Sequence, residues 1–128
     1  MKTKQIIWLG SSRKDLIKLP EDIKDSFGYG LYTAQKGAMH ENAKVLSGFG
    51  SAKVIELKDS DAAGTYRTVY TIQMPEVIFV LHMFQKKSKQ GIKTSQEDIA
   101  LIRSRLQQAQ EIYKEIIGKG RHEKTSYV

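Results

Sequence analysis

The longest amphipathic segment of the chain lies in its carboxyl-terminal third. Its apolar side chains recur every three or four residues, the period of one helix face: Ile99, Ile102, Leu106, Ala109, Tyr113 and Ile116. Thr94 and Ser95 each stand three positions before an acid, the pattern of a capping box. We predict a helix from about Ser95 to Ile117 that ends at Gly118. Its apolar stripe is expected to pack on a sheet, and a partner or dimer contact is the alternative.

Four segments have the β-branched and aromatic composition of strands. They are residues 5–9, 51–58, 66–74 and 77–84. The Pro75–Glu76 break between the last two favours an antiparallel hairpin with a two-residue turn. Residues 58–64 are small and polar and predict an exposed turn, whereas residues 38–50 predict a loop.

Alternation along this hairpin assigns its side chains to two faces. With a two-residue turn, Arg67 lies opposite Phe84, although a turn longer by one residue would change the register. One face then holds Arg67, Val69, His82, Phe84 and Lys86. The other, apolar face holds Tyr70, Ile72, Phe79 and Leu81. The register therefore gathers a guanidinium, an imidazole, an aromatic ring and an ammonium group at one end of the sheet.

Two helices are predicted between the first two strands. The apolar spacing of residues 16–27 indicates one helical face, and Pro20 within it suits the first turn of a new helix. We therefore expect a short helix through Leu19 and a second from Pro20 to about Lys36, capped by Gly37. The predicted fold is α+β: a small antiparallel or mixed sheet of about four strands, two amino-terminal helices and a long carboxyl-terminal helix. Residues 1–118 would form one domain and residues 119–128 a flexible tail.

Composition narrows the classes of protein and site. The 128 residues suit one domain, and the absence of cysteine excludes disulfides and thiolate metal sites. The three histidines show no ligand spacing, so we expect no metal and no cofactor. The amino terminus lacks a signal-peptide pattern, and no segment has the length of a membrane span, which predicts a cytoplasmic protein.

The formal net charge is +7, from 21 basic and 14 acidic residues. A basic cluster follows the last predicted strand, where Lys86, Lys87, Lys89 and Lys93 stand together without an acid nearby. Such a cluster is typical of a protein with a phosphate-rich partner, and a solvated basic face is the alternative.

The face that carries Arg67 has the groups that RNA cleavage needs. Attack by the ribose 2'-hydroxyl requires a base, positive charge at the phosphorane oxygens and a protonated leaving group. Arg67 offers a two-pronged donor to phosphate, Lys86 and Lys87 add positive charge, and His82 titrates near neutral pH. Phe84 could stack an extruded base. The structural alternatives are that Arg67 pairs with Glu56 or another strand acid, that His82 is a hydrogen-bonded core histidine, and that Phe84 belongs to the core.

Eight motifs are spread over about 100 residues of the chain. They are Trp8-Leu-Gly-Ser-Ser, Asp15-Leu, Leu19-Pro20, Lys44-Val-Leu-Ser-Gly-Phe-Gly50, Val54-Ile-Glu-Leu57, Gly64-Thr-Tyr-Arg67, Phe79-Val-Leu-His-Met-Phe-Gln-Lys-Lys-Ser88 and Arg103-Ser-Arg-Leu-Gln-Gln-Ala109. In matching order, they resemble the phage-derived branch of the RelE/HigB toxin superfamily. The combination of Glu-Leu, Tyr-Arg and Phe-Gln-Lys-Lys-Ser is specific.

The resemblance implies the toxin of a type II toxin-antitoxin pair, an endoribonuclease that cuts messenger RNA, often on the ribosome. It also implies an antitoxin with a helix-turn-helix domain, oligomers formed mainly through that antitoxin, and helices packed on one face of the sheet. The competing interpretations are a non-catalytic module that binds RNA or antitoxin, and a degenerate toxin that acts as a corepressor.

The resemblance also assigns site residues, by their positions in the matching motifs. Arg67 matches the family's strand arginine at the scissile phosphate, and Lys86 and Lys87 match the basic pair that ends the next strand. With His82 as a candidate base, these four form the predicted catalytic set. The predicted RNA-binding set is Lys58, Phe84, Lys89 and Lys93. The chain departs from RelE because Lys87 stands where RelE has arginine, and it has no clear equivalent of the carboxyl-terminal catalytic tyrosine.

Overall fold

The computed structural model describes residues 3–86 and 94–126, with side chains as far as Gly118. Over these residues, five strands and three α-helices follow one another, with a short 3-10 helix at Gly50–Ala52. In order they are β1 Gln5–Trp8, α1 Ser12–Ile17, α2 Glu21–Gln35, β2 Ala43–Val45, β3 Val54–Asp61, β4 Gly64–Thr71, β5 Val77–Lys86 and α3 Gln96–Ser126.

The five strands form one mixed sheet in the order β1-β5-β4-β3-β2. Strand β1 runs parallel to β5, and the other neighbours are antiparallel. The predicted α+β class is confirmed. The fifth strand, β2, lies in the segment that the sequence predicted as a loop, so that part of the prediction is wrong.

Helices cover both faces of the sheet. Apolar residues of α2 pack with one set of strand side chains, including Ile55, Leu57 and Tyr70. Apolar residues of α3 pack with the opposite set, including Val54, Val69 and Phe79. The expectation that the helices share one face is therefore wrong, because β5 has apolar side chains on both faces and each of its faces needs a cover.

The approach of α2 to the sheet depends on Gly30. A Cβ atom at this position would lie 2.8 Å from Leu57 Cδ1 of β3, well inside van der Waals contact. Glycine in a helix interior is otherwise unfavourable by about 1 kcal/mol relative to alanine. The close packing of helix on strand accounts for its presence here.

A β-bulge on β5 changes the predicted faces of the hairpin. Arg67 lies opposite Phe84 as predicted, but the connection between β4 and β5 spans residues 72–76 and is not a two-residue turn. The register shifts between Val69 and Tyr70, which leaves Leu81 as the extra residue of β5. Phe79 and Leu81 consequently lie on the α3 face. Their predicted placement beside Tyr70 is wrong.

The first turn of α3 begins as the sequence predicts. The Asp98 backbone N–H donates to Ser95 Oγ over 3.1 Å, so Ser95 caps the helix. Its predicted end at Gly118 is wrong, since the helix continues to Ser126 through the segment predicted as a tail. A lone glycine lowers helix stability without ending the helix. Within residues 3–86 and 94–126, none of the helices combines the length and hydropathy of a membrane span.

Candidate functional site

A pocket of about 380 Å³ lies where β2, β3 and β4 meet the segment that enters α3. Three cationic side chains and one anionic side chain line it, for a formal charge of +3 − 1 = +2. These four are Lys44, Lys58, Arg67 and Glu56, and the remaining lining residues are Val45, Leu46, Ser47, Thr94 and Ile99. This pocket concentrates positive charge in a concave surface, which suits an anionic ligand.

Strand pairing brings the charged residues together. Lys58 lies directly opposite Arg67 on β4, and Lys44 of β2 lies opposite Glu56 of β3. Two cations directly opposite each other on a sheet repel. Glu56 is opposite Val69 and thus diagonal to Arg67, close enough to compensate that repulsion. The register of β3 on β4 is therefore what assembles the pocket.

Arg67 and Glu56 form a buried ion pair at the base of the pocket. Arg67 Nη1 lies 2.5 Å from Glu56 Oε1, and the two residues are 4% and 1% exposed. Thr94 Oγ1 donates to the other carboxylate oxygen, Oε2, over 2.9 Å. The pairing with Glu56 that the sequence left open for Arg67 is confirmed. The charge of this arginine is compensated within the protein.

A second polar cluster lies on the same face of the sheet and centres on Asp98 of α3. His82 Nε2 lies 2.9 Å from Asp98 Oδ1. Lys86 Nζ and Ser95 Oγ approach Oδ2 at 3.0 Å and 2.7 Å. Asp98 stands in the first turn of α3, where the helix dipole favours a negative charge. This carboxylate joins the end of β5 to the beginning of α3.

Opposing effects set the protonation of Asp98. Burial alone would raise the pKa of its carboxyl group, but hydrogen bonds from His82, Ser95 and Lys86 and the charge of Lys86 outweigh it. The pKa of Asp98 is therefore lower than its ordinary value. The carboxylate stays ionised at neutral pH.

Burial favours the neutral imidazole of His82, and its two neighbours indicate which ring nitrogen carries the proton. Burial lowers the pKa of its imidazole more than the Asp98 hydrogen bond and charge raise it. Arg105 Nη1 lies 3.5 Å from His82 Nδ1, and a guanidinium can only donate, so Nδ1 is the acceptor and Nε2 carries the proton toward Asp98. Both ring nitrogens are thus directed at protein groups. This geometry favours the hydrogen-bonded core alternative for His82.

Phe84 lies between the sheet core and the Asp98 cluster. It is partly buried against the α3 core, and its ring stacks on the His82 ring with centroids 4.6 Å apart. Lys86 Nζ lies 5.7 Å from the centroid of the same ring. Base stacking by Phe84 stays a prediction, and the core alternative explains its contacts.

The structure divides the predicted site into two groups. Lys58 and Arg67 line the pocket, whereas His82, Phe84 and Lys86 belong to the Asp98 cluster. Lys87, Lys89 and Lys93 lie outside the described residues. Across the part of the chain that the structure describes, no group of three or more metal-ligating side chains could hold a metal ion.

Sequence reasoning missed two contributors to these groups. Lys44 falls in the segment predicted as a loop, although it stands within one of the motifs that carry the family resemblance. Asp98 was assigned only a capping role. The available signal was the overlap of two capping-box patterns, because only one of Thr94 and Ser95 can be the N-cap. Ser95 is the N-cap, and the Thr94 hydroxyl donates to Glu56 instead.

Comparison with known proteins identifies one family. The model of the family described as phage-derived protein Gp49-like (DUF891) matches residues 14–107, from α1 into α3. That span contains β2 to β5, the whole pocket and the Asp98 cluster. No curated protein matches the chain.

Proposed function

This chain belongs to the phage-derived Gp49-like family, a RelE/HigB-type toxin-like family, and on that premise we propose that it is an endoribonuclease toxin that cleaves messenger RNA. The observation that carries the proposal is the cationic pocket beside Arg67. A volume of about 380 Å³ is within the range of ligand sites. In this proposal one phosphate of single-stranded RNA enters the pocket.

The pocket residues have separable tasks in the proposed reaction. The ammonium groups of Lys44 and Lys58 are exposed and attract the RNA backbone. The guanidinium of Arg67 neutralises the charge that develops on the phosphorane oxygens when the 2'-hydroxyl attacks. Lys86 at the end of β5 and Lys87, the next residue in the sequence, add positive charge. The rate gain comes mainly from positioning and electrostatic stabilisation.

The same proposal extends to the cellular partners. The substrate is messenger RNA, read on the ribosome, and the protein acts in the cytoplasm. An antitoxin with a helix-turn-helix domain binds and silences the toxin and forms the larger assembly. These partners follow from the family premise alone.

A second candidate function is a non-catalytic module that binds RNA or antitoxin, as a degenerate toxin acting as a corepressor would. The specific observation in its favour is that the two best candidates for chemistry are engaged within the protein. Arg67 is paired with Glu56, and both ring nitrogens of His82 face other residues. Turnover separates the two functions, since an enzyme leaves cut RNA with a 2',3'-cyclic phosphate or 3'-phosphate end and a binder does not.

Induced expression in a bacterial host, with mapping of new messenger RNA 5' ends, tests the proposal. Wild type should arrest growth and produce new ends, and Lys58→Ala should weaken both effects because Lys58 lines the pocket. Lys114→Ala is the matched control, since it removes the same charge from a side chain that is 76% exposed and lies outside the pocket. A harmless wild type without new ends would refute the catalytic function and leave the binding module.

A further inference from the structure

We infer that Glu56 is a resident counter-ion that competes with RNA phosphate for Arg67 and thereby limits the affinity of the pocket. The inference rests on the proposed function for the identity of the ligand. It concerns Glu56, a residue to which neither the family resemblance nor the predicted site assigned a role in the chemistry. Its consequence is unusual, because removing this charge should improve binding.

The geometry at the base of the pocket supports this competition. Glu56 Oε1 occupies the Nη1 edge of the guanidinium at 2.5 Å, and a phosphate oxygen would make the same charge-assisted hydrogen bond there. A phosphate group that approaches Arg67 also meets the negative charge of the carboxylate. Binding at the Nη1 edge of the guanidinium therefore requires Glu56 to move away or to share this donor.

Thr94 holds Glu56 in the competing position. Its hydroxyl donates to Oε2 at 2.9 Å, from the segment that enters α3. The carboxylate is thus fixed from two sides, by β4 and by this segment. Its exposed fraction of 1% means that it exchanges these partners for water only if the base of the pocket opens.

Charge arithmetic gives the expected size of the effect. Neutralising Glu56 raises the formal charge of the pocket from +2 to +3. One additional phosphate contact on a single strand steepens the dependence of log affinity on log salt concentration by about 0.7. The gain of one charge-assisted hydrogen bond corresponds to about tenfold tighter binding or more.

Direct binding of a short single-stranded RNA with fully 2'-O-methylated riboses tests the inference, because this probe cannot be cut through its 2'-hydroxyls. We expect Glu56→Gln to bind it about tenfold tighter than wild type at low salt, with the steeper salt dependence. The glutamine keeps one side-chain oxygen that can accept from Arg67, and its amide N–H can donate to the Thr94 hydroxyl in place of the bond that Thr94 makes to Oε2. Asp25→Asn is the matched control, since it removes one negative charge from an exposed position on α2, across the sheet from the pocket.

A second variant keeps the test decisive if Glu56→Gln fails to fold. Thr94→Val removes the hydroxyl that fixes Oε2 and leaves the ion pair in place. It should also tighten binding of the methylated RNA, by less than Glu56→Gln does. If folded Glu56→Gln binds no tighter than Asp25→Asn, the inference is wrong. If Glu56→Gln does not fold, unchanged affinity in Thr94→Val overturns it.

The binding test is independent of cleavage. Tighter binding by Glu56→Gln without RNA cutting by wild type would support the counter-ion and refute the endoribonuclease. Cutting by wild type with no gain of affinity in Glu56→Gln would refute the counter-ion and leave the endoribonuclease standing.

Discussion

Removing either charge of the Arg67–Glu56 pair should destabilise the fold strongly, whereas removing both charges together should cost much less. Both side chains are at least 95% buried. Removing one partner of such a pair leaves an uncompensated buried charge, which costs about 3–5 kcal/mol. Replacing both by apolar side chains of similar size is often close to neutral. We therefore expect Arg67→Met and Glu56→Leu each to destabilise strongly, and the double variant much less than their sum.

The magnitude is large for a domain of this size. Domain stabilities lie at about 5–15 kcal/mol, so either single change would remove a substantial part of the free energy of unfolding. At about 4 °C per kcal/mol, the melting temperature should fall by roughly 12–20 °C. The coupling energy from the double-mutant cycle should reach at least about 3 kcal/mol.

Urea unfolding of the four proteins measures this coupling. The control is the exposed Lys24–Glu21 pair, at 3.1 Å with side chains 35% and 76% exposed, whose coupling should stay below about 1 kcal/mol. The reasoning would be refuted by equal coupling energies in the two cycles. It also matters for activity assays, because Arg67→Ala can lose function simply by unfolding.

Four further predictions concern packing and pH. Gly30→Ala should cost up to about 2 kcal/mol in thermal or urea unfolding, because overpacking by a Cβ 2.8 Å from Leu57 Cδ1 outweighs a gain of about 1 kcal/mol in helix propensity. Gly28→Ala should instead stabilise by about 0.5–1 kcal/mol, since a Cβ there meets nothing within 4 Å. The pKa of His82 in the folded protein is lower than its usual 6.5, so the unfolded chain binds the proton first as pH falls. The free energy of unfolding should therefore decrease as pH drops below about 6.5 toward the folded pKa. His82→Gln should flatten this pH dependence, measured as urea midpoints. The Asp98 contribution is present above pH 3.8 and is lost as pH falls through its lower folded pKa, so Asp98→Asn should lose it at neutral pH.

The predicted pairing of Arg67 with Phe84 in the central hairpin is correct, but the two-residue turn from which it was predicted is wrong. A longer connection and a bulge offset each other, so Arg67 still faces Phe84. Strand β5 is buried on both faces from Val77 to Met83. A strand of this kind lacks the polar alternation that would reveal an extra residue. The bulge at Leu81 was therefore invisible in the sequence, and so was the true face of Phe79.

The missed strand β2 has a different cause. It has three residues at the edge of the sheet, and Lys44 and Val45 are exposed. Its place depends on backbone pairing with β3 and hardly at all on apolar burial. A pattern of hydrophobic positions cannot detect such a segment. In contrast, the stripe on α3 was predictable because Ile102, Leu106 and Ala109 are all buried.

The basic residues of the candidate site could be predicted from the sequence, but the acid that pairs with each of them could not. Basic residues in and beside predicted strands are visible in a sequence, as Lys58, Arg67 and Lys86 were. Which acid compensates each cation depends on the register between β3 and β4 and on where α3 begins. Glu56 was one of several possible partners for Arg67, and Asp98 was not considered for Lys86.

The pairing of cations with acids changes how the proposed site has to work. Lys44 and Lys58 are exposed at the pocket, whereas Arg67 is buried and already holds a carboxylate. Exposed ammonium groups can attract the RNA backbone without any rearrangement, so they should govern affinity and its salt dependence. A buried guanidinium contributes only after Glu56 yields, so its effect should fall on the later steps of binding and on the rate of cleavage. Loss of Lys58 should therefore weaken RNA binding in a protein of unchanged stability, while loss of Arg67 affects folding and reactivity together.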